Sequence, residues 1–395
     1  MKRNRVISII IVAIAIAATG IFAFAQSSVT DTAQKAILAS SDAHYEALGI
    51  ERGNVAIWED GMRTDGKEGS YEWWYTDAEF EDGSTIVVVF YTKDGFDVTG
   101  SARPRANFQL TYPDGTVISR DVYEEGTVLN AATNVADVQV QDSYLRYVDG
   151  DYELYFVDGD LEYDVVMKSL LPMHRPETGH QYFGDNEEYY FAWLAAQPKS
   201  EIRGTLTLAG ETTEIVGRGY HDHNWGNVAM NEVMNHWYWG RVQIGDYTLI
   251  TSDVVAEEAY GYTPVSQFYI AKGEEVIEYD PSQLQVERGD TIQHPETGKF
   301  MDNHLTYIVT DENGIQYTLE YFRENDIVVH SLLDDLEPLQ REVARAMGAN
   351  PTYIRVLGTV KLTIHDGEDE QVLEGEGLWE QMFFGSNTEA IIGSR

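Results

Sequence analysis

No cysteine occurs in the 395 residues, which excludes a disulfide framework, a thiolate metal site, a cysteine nucleophile and lipidation at an N-terminal cysteine. Basic residues are scarce: 27 Lys and Arg, only nine of them lysine, face 66 Asp and Glu, for a formal charge of −39. A surface of that sign repels phosphate, so nucleic acid and anionic lipid headgroups are excluded as partners. Lysine depletion beside an excess of carboxylates resembles proteins adapted to high salt; an ordinary acidic exported protein is the alternative. A Gly-x-Ser-x-Gly elbow is also lacking, which removes one common hydrolase route.

Aromatics are abundant, with 25 Tyr and 8 Trp, and suit strands and interior pockets better than helical bundles. Short Val/Ile/Tyr/Phe runs alternate with turn signals at Asp82-Gly83, Pro113-Asp114-Gly115, Asp149-Gly150, Asp158-Gly159, Ala209-Gly210, Gly245-Asp246, Asn313-Gly314 and Asp366-Gly367. The expected class is therefore all-β, built from antiparallel hairpins with few short helices. One late helix is expected over 336–347, with Leu336, Leu339, Val343 and Met347 as its apolar stripe and Gly348 as its stop.

The chain opens with Lys2, Arg3 and Arg5, the apolar run Val6–Ala18 and the small-residue site Ala23-Phe24-Ala25. This pattern predicts an export signal over residues 1–25, with an uncleaved anchor through residues 6–25 as the alternative. The body is accordingly expected outside the cytoplasm: secreted, periplasmic or on the outer face of the cytoplasmic membrane. A lead-in over 26–52 follows, then two domains, 53–230 and 231–395. The division rests on length and on a weak repeat, in which Glu72–Asp77 and His236–Arg241 each lead through a tight turn into an apolar strand.

The densest chemistry lies in Tyr220-His221-Asp222-His223-Asn224-Trp225-Gly226. On a strand, alternation places His221, His223 and Trp225 on one face and Tyr220, Asp222 and Asn224 on the other. Three readings stay open at this point: a satisfied structural network, a metal site with His236 as third ligand, and general acid/base chemistry in an aromatic pocket. No metal and no cofactor are expected, because alternation supports only two facing imidazoles.

Ser70-Tyr71-Glu72-Trp73-Trp74-Tyr75-Thr76-Asp77, the His-rich stretch and Gly377-Leu378-Trp379-Glu380-Gln381-Met382 together resemble the hydroxyneurosporene synthase (carotenoid 1,2-hydratase) and AttH-like family of lipocalin-like proteins. The resemblance covers about residues 50–395. It implies two tandem lipocalin-like β-barrels and a hydrophobic small-molecule ligand, isoprenoid or lipid. It also implies that His223 and Trp225 match the family's His-x-Trp unit and that Thr251-Ser252-Asp253 stands where the family has Tyr-x-Asp, keeping the carboxylate and replacing the tyrosine.

Two functions are carried forward: acid-catalysed hydration or cyclisation of an alkene by a hydratase-like lyase, and non-catalytic carriage of an isoprenoid or lipid. For the enzyme, Asp253 is the expected proton donor, being a carboxylate on an apolar strand. His223 is expected to orient or deprotonate water, with His221, Asp222 and Trp225 completing the catalytic set. Trp73, Trp74, Tyr75, Tyr220, Trp237 and Trp239 are expected to line the substrate.

Overall fold

The computed structural model describes residues 33–393 apart from Asp97, Glu337, Met347 and Gly348; the expected export signal lies outside the described residues. Two compact units emerge: one of Leu38–Gln181 and Tyr189–Ala229, the other chiefly of Tyr182–Glu188 and Met230 onward. Each is an antiparallel β-structure with only short helices. Every turn signal named above connects two consecutive strands.

In the first unit the Tyr71–Phe80 strand pairs on one side with Thr85–Lys93 and on the other with the long Glu211–Gly226 strand. Beyond that pair the ladder continues through Tyr189–Leu208, Leu161–Ser169 and Asp151–Asp158. The sheet curls until its ends meet, so that Gln141 donates from its side chain to the Tyr123 carbonyl (2.6 Å) and Arg120 lies 3.7 Å from Asp158. Strand alternation fills the interior: Leu161, Tyr163, Val165 and Met167 point inward while Glu162, Asp164, Val166 and Lys168 face out. Phe90, Phe108, Phe156, Leu194 and Ile202 complete the core.

The second unit repeats this plan. Its Met234–Ile244 strand pairs with Tyr247–Ala256 on one side and with the final long strand, Asp369–Phe383, on the other. Outward from that last strand come Thr352–Asp366, Gln316–Ser331, Phe300–Thr310 and Gln285–Gln293. In both units, then, the aromatic strand is joined to its sequence neighbour and to the last strand of the same unit.

Two local elements refine the sequence reading. The lead-in holds a helix, Asp42–Leu48, capped by Ser41, whose hydroxyl accepts from the His44 N–H, and closed by Gly49 at φ 67°. The late helix is shorter than expected, Pro338–Ala346, and its stripe is different. Leu339 and Val343 are exposed; Leu333, Leu336 and Ala344 form the buried cluster. Starting at Pro338 rotates the helix so that Ala344 faces inward, while Met347 and Gly348 lie outside the described residues. Among the described residues no helix is long and apolar enough to cross a membrane.

Close strand packing makes Gly358 a sensitive position, since a Cβ there would stand 2.0 Å from the Phe322 carbonyl oxygen and 2.8 Å from the Trp379 ring. Gly358→Ala is expected to lower stability by about 1–3 kcal/mol, the usual range for forced overpacking, read as a downward shift of the urea midpoint.

Candidate functional site

The His-rich stretch is the end of the Glu211–Gly226 strand, between Tyr71–Phe80 and Tyr189–Leu208. Here the sheet must pass close to Tyr71, and a Cβ at Gly226 would come within 2.4 Å of that hydroxyl, which accounts for glycine at the end of the motif. Register sets His223 opposite Trp74, Asp222 opposite Tyr75 and His221 opposite Thr76. One strand therefore feeds two separate clusters, one on each face.

The inner cluster is fully buried. His221 donates from Nδ1 to the Tyr75 carbonyl (2.8 Å) and faces Asp60 Oδ2 through Nε2 (3.2 Å); a carbonyl only accepts, so a proton must also lie between Nε2 and the carboxylate. Tyr152 donates to the same Asp60 oxygen at 2.6 Å. His223 faces two carboxylates, Glu72 Oε1 through Nε2 (2.8 Å) and Asp60 Oδ1 through Nδ1 (3.4 Å), the second contact lacking hydrogen-bond geometry. Glu72 in turn accepts from the backbone N–H groups of Arg63 and Thr64 and from the Thr64 hydroxyl. Aromatic rings enclose the imidazoles: Trp74 stacks on His223 at 4.4 Å, Trp225 tilts against it at 4.7 Å, and Tyr152 meets His221 edge-on at 4.8 Å.

Charge balance explains the electrostatics. Burial alone would raise the Asp60 carboxyl, but the charge and hydrogen bond of His221 and the charge of the adjacent His223 outweigh it and hold Asp60 well below the usual carboxylate range. Burial would likewise lower His223, yet its close approach to Asp60 and its hydrogen bond to Glu72, with the charges of both carboxylates, prevail and raise it.

The outer face carries the Asp222 carboxyl in aromatic surroundings, with Asp77 farther along the same face. Asp222 accepts from Trp193 Nε1 (3.0 Å) and the Tyr220 hydroxyl (2.9 Å) at Oδ2, and from Asn224 Nδ2 (2.7 Å) at Oδ1. Burial pushes it up to about 6 against these three donors and the charge of His221. Tyr75 lies across the ladder, with its ring 6.4 Å from that of Tyr220, and Trp73 follows on the same face.

The expected residues thus fall into three places. His221, His223, Trp225 and Trp74 share the inner cluster; Asp222, Tyr220, Trp73 and Tyr75 share the outer face. Asp253, Trp237 and Trp239 belong to the second unit. Trp237 donates from Nε1 to Glu380 (3.3 Å) and Trp239 is half-buried. Asp253 sits in a buried ion pair: Ser266 donates to its Oδ1 (2.6 Å) and Arg288 to its Oδ2 (2.9 Å). His236, considered above as a third metal ligand, is occupied by Asn235 (2.8 Å). Among the described residues no group of three or more His, Asp or Glu is arranged to hold a metal ion.

Sequence reasoning missed Asp60, Glu72, Tyr152 and Trp193. Glu72 carried a signal, since it begins the Glu72-Trp73-Trp74 run and alternation puts it on the Trp74 face. Asp60 ends an irregular turn, Ile57–Asp60, held by the Arg175–Glu59 ion pair, and nothing periodic marks it.

Two outcomes follow from these contacts. Asp253→Asn should cost about 3–5 kcal/mol in urea unfolding by stranding the Arg288 charge, with Asp253→Asn/Arg288→Met recovering much of the loss. Because the folded-state His223 value is raised, its contribution is full below the unfolded value of about 6.5 and is lost as pH rises through the folded one. Unfolding free energy followed from pH 5 to pH 9 should therefore fall on the alkaline side in the native protein, and His223→Gln should flatten that decline.

Comparison with known proteins agrees with this architecture. The Diels-Alderase-like family model matches residues 67–309. A hydroxyneurosporene dehydrogenase of Chlorobaculum tepidum is 30% identical over 210 residues, 44% of this chain and 53% of that protein. A Diels-Alderase of Chaetomium globosum is 26% identical over 52% of this chain and 51% of its own, so the chain spans about half the length of the curated relatives it matches. Among solved structures, an AttH-type protein of Nitrosomonas europaea aligns with a TM-score of 0.53 at 15% identity, over 83% of this chain and 97% of that one. Kievitone hydratase of Nectria haematococca aligns at 0.50 and 14%, over 84% and 93%. The fold is thus AttH-like and lipocalin-like, and with well over half of its residues matching the family model, the chain belongs to the Diels-Alderase-like family.

Proposed function

We propose that this protein is an enzyme that protonates an alkene or epoxide of an apolar small molecule, isoprenoid or lipid in character, and so directs its hydration or cyclisation. The observation that carries the reading is the outer face of the first unit. A carboxyl pushed up to about 6 is a far stronger acid than water and keeps a protonated fraction, about a tenth, at pH 7. Asp222 takes the donor role that the sequence suggested for Asp253, because Asp253 is paired with the Arg288 guanidinium whereas the hydrogen-bond partners of Asp222 are neutral. The orienting groups are Trp193, Tyr220 and Asn224.

Proton transfer to carbon leaves a cation. The rings of Trp73, Tyr75 and Tyr220 lie on the Asp222 side of the sheet, where each desolvated cation–π contact would contribute about 1–2 kcal/mol. The inner cluster serves from the opposite face: Asp60 and Glu72 fix His221 and His223, and these fix the strand that carries Asp222. The relatives support the class of chemistry, their names including hydratase, quinolone epoxide rearrangement protein and Diels-Alderase. Export through the basic and apolar start of the chain belongs to the same proposal, and mass spectrometry of native protein should find Gln26 or a close neighbour as the first residue.

Incubation with acyclic isoprenoid alkenes and chromatography of the products tests the reaction. Asp222→Asn should lower turnover by roughly 10²- to 10⁴-fold while ligand binding persists, the usual weight of one general acid. Undiminished turnover would remove Asp222 from the mechanism, and a native protein that binds the alkene without converting it would favour the carrier.

A further inference from the structure

Five glutamines are buried among the described residues, and three of them show how a buried amide is normally accommodated. Gln197 donates from Nε2 to the Met167 carbonyl (2.9 Å) and the Ser169 hydroxyl (2.7 Å), Gln109 to Thr111 (3.2 Å) and Gln381 to the Asp302 carbonyl (3.5 Å). Gln267 in the second unit is 3% exposed, and neither its side-chain oxygen nor its nitrogen has a hydrogen-bond partner, a state that only Gln181 shares among these five. Interchanging the two atoms changes nothing, because both ends of the amide are unengaged. A buried amide that makes no hydrogen bond is strongly disfavoured, so the position calls for a partner that the chain itself does not supply.

Register fixes what stands beside it. Gln267 pairs with Ser252 on the Tyr247–Ala256 strand, and Ser252 pairs with Trp239 on Met234–Ile244, so the three form one row across the sheet. Phe268 and Tyr238, each one residue away in sequence, belong to the core cluster, and the row therefore lies on the opposite face. Buried apolar side chains, Ile250, Val254 and Val265, flank it there. Ser252 brings a hydroxyl to the middle of the row and keeps 8% of its surface exposed, while Trp239 is half-buried, so solvent reaches two of the three positions. Two strand spacings, about 10 Å, separate Gln267 from Trp239.

An amide with both ends free selects its partner by chemistry. Its nitrogen needs an acceptor and its oxygen needs a donor, side by side and in one plane, which a cis-amide supplies through two parallel hydrogen bonds. A carboxylic acid has the same shape but ionises below neutral pH and then lacks the donor. A lactam keeps its N–H, and its ring offers apolar surface to Ile250, Val254 and the Trp239 indole.

We infer that Gln267 is the recognition point of a binding site for a neutral bicyclic lactam, on the face of the second unit's sheet that turns away from its core. The site goes beyond the reaction proposed above and does not rest on it.

The full-length protein can be titrated in a calorimeter with isocarbostyril, a bicyclic lactam, and with its N-methyl derivative, which keeps the rings and the carbonyl but has no N–H. The native protein should bind the lactam roughly tenfold or more tightly than the N-methyl derivative, which leaves the Gln267 oxygen without a donor. In Gln267→Met this difference should vanish. The same substitution should raise the urea midpoint of the ligand-free protein, since an unpaired amide gives way to an apolar chain of similar length and no hydrogen bond is lost. Equal binding of the two compounds by the native protein, or binding of neither, would overturn the assignment whether or not the variant folds. A preference for the lactam that survives Gln267→Met would overturn it too, and so would a lowered midpoint, which would show that the protein itself holds the amide.

Discussion

The ladder between Tyr71–Phe80 and Glu211–Gly226 is the constraint on which the first unit depends. It joins segments more than a hundred residues apart and fixes, by register alone, what stands on each side of the sheet. Because side chains alternate, one strand delivers two imidazoles to the interior and a carboxyl to the opposite face with no change of backbone. A slip of one residue would exchange the two sets, placing Asp222 among Asp60 and Glu72 and bringing the histidines outside. Few errors would be more costly, since three carboxylates would then share one buried site without a cation.

The inner cluster guards against that slip. Asp60 comes from the turn that precedes the first strand, Glu72 from that strand and the histidines from the second, so the charges match in one register only. Here a buried polar network gives specificity beyond any net stability that it adds. The second unit keeps the frame and changes the contents: where His223 faces Trp74 in the first unit, Gln381 faces Tyr238 in the second, and Asp302 accepts from that tyrosine. The same closing strand carries Glu380, held by Trp237 and Tyr353. A repeated scaffold thus hosts two different polar sites.

Much of this was legible because it is local. Asp-Gly and Asn-Gly pairs announce tight turns through their tolerance of positive φ, and alternation correctly sorted His221, His223 and Trp225 from Tyr220, Asp222 and Asn224. What was not legible depends on distance in the chain. A carboxylate at Asp253 on an apolar strand signals a buried charge, but only the fold shows that Arg288, 35 residues on, has taken it. Asp60 reaches His221 across 161 residues from a turn without periodicity. The late helix misled in part for a related reason: Leu336 is buried as expected, but Leu339 and Val343, which have the spacing of a buried stripe, are exposed and Ala344 packs instead.

In both units the strand that completes the sheet is the last to be synthesised, and it pairs with one of the first. Such non-local closure raises contact order, so each half is expected to fold slowly for its size. On the ribosome, Tyr71–Phe80 waits with one edge unpaired until some hundred and thirty further residues have emerged, and Met234–Ile244 waits similarly for Asp369–Phe383. That open edge is aromatic and apolar, the kind of surface that recruits a neighbouring chain, which makes the interval between synthesis and closure the most vulnerable moment in the life of this protein.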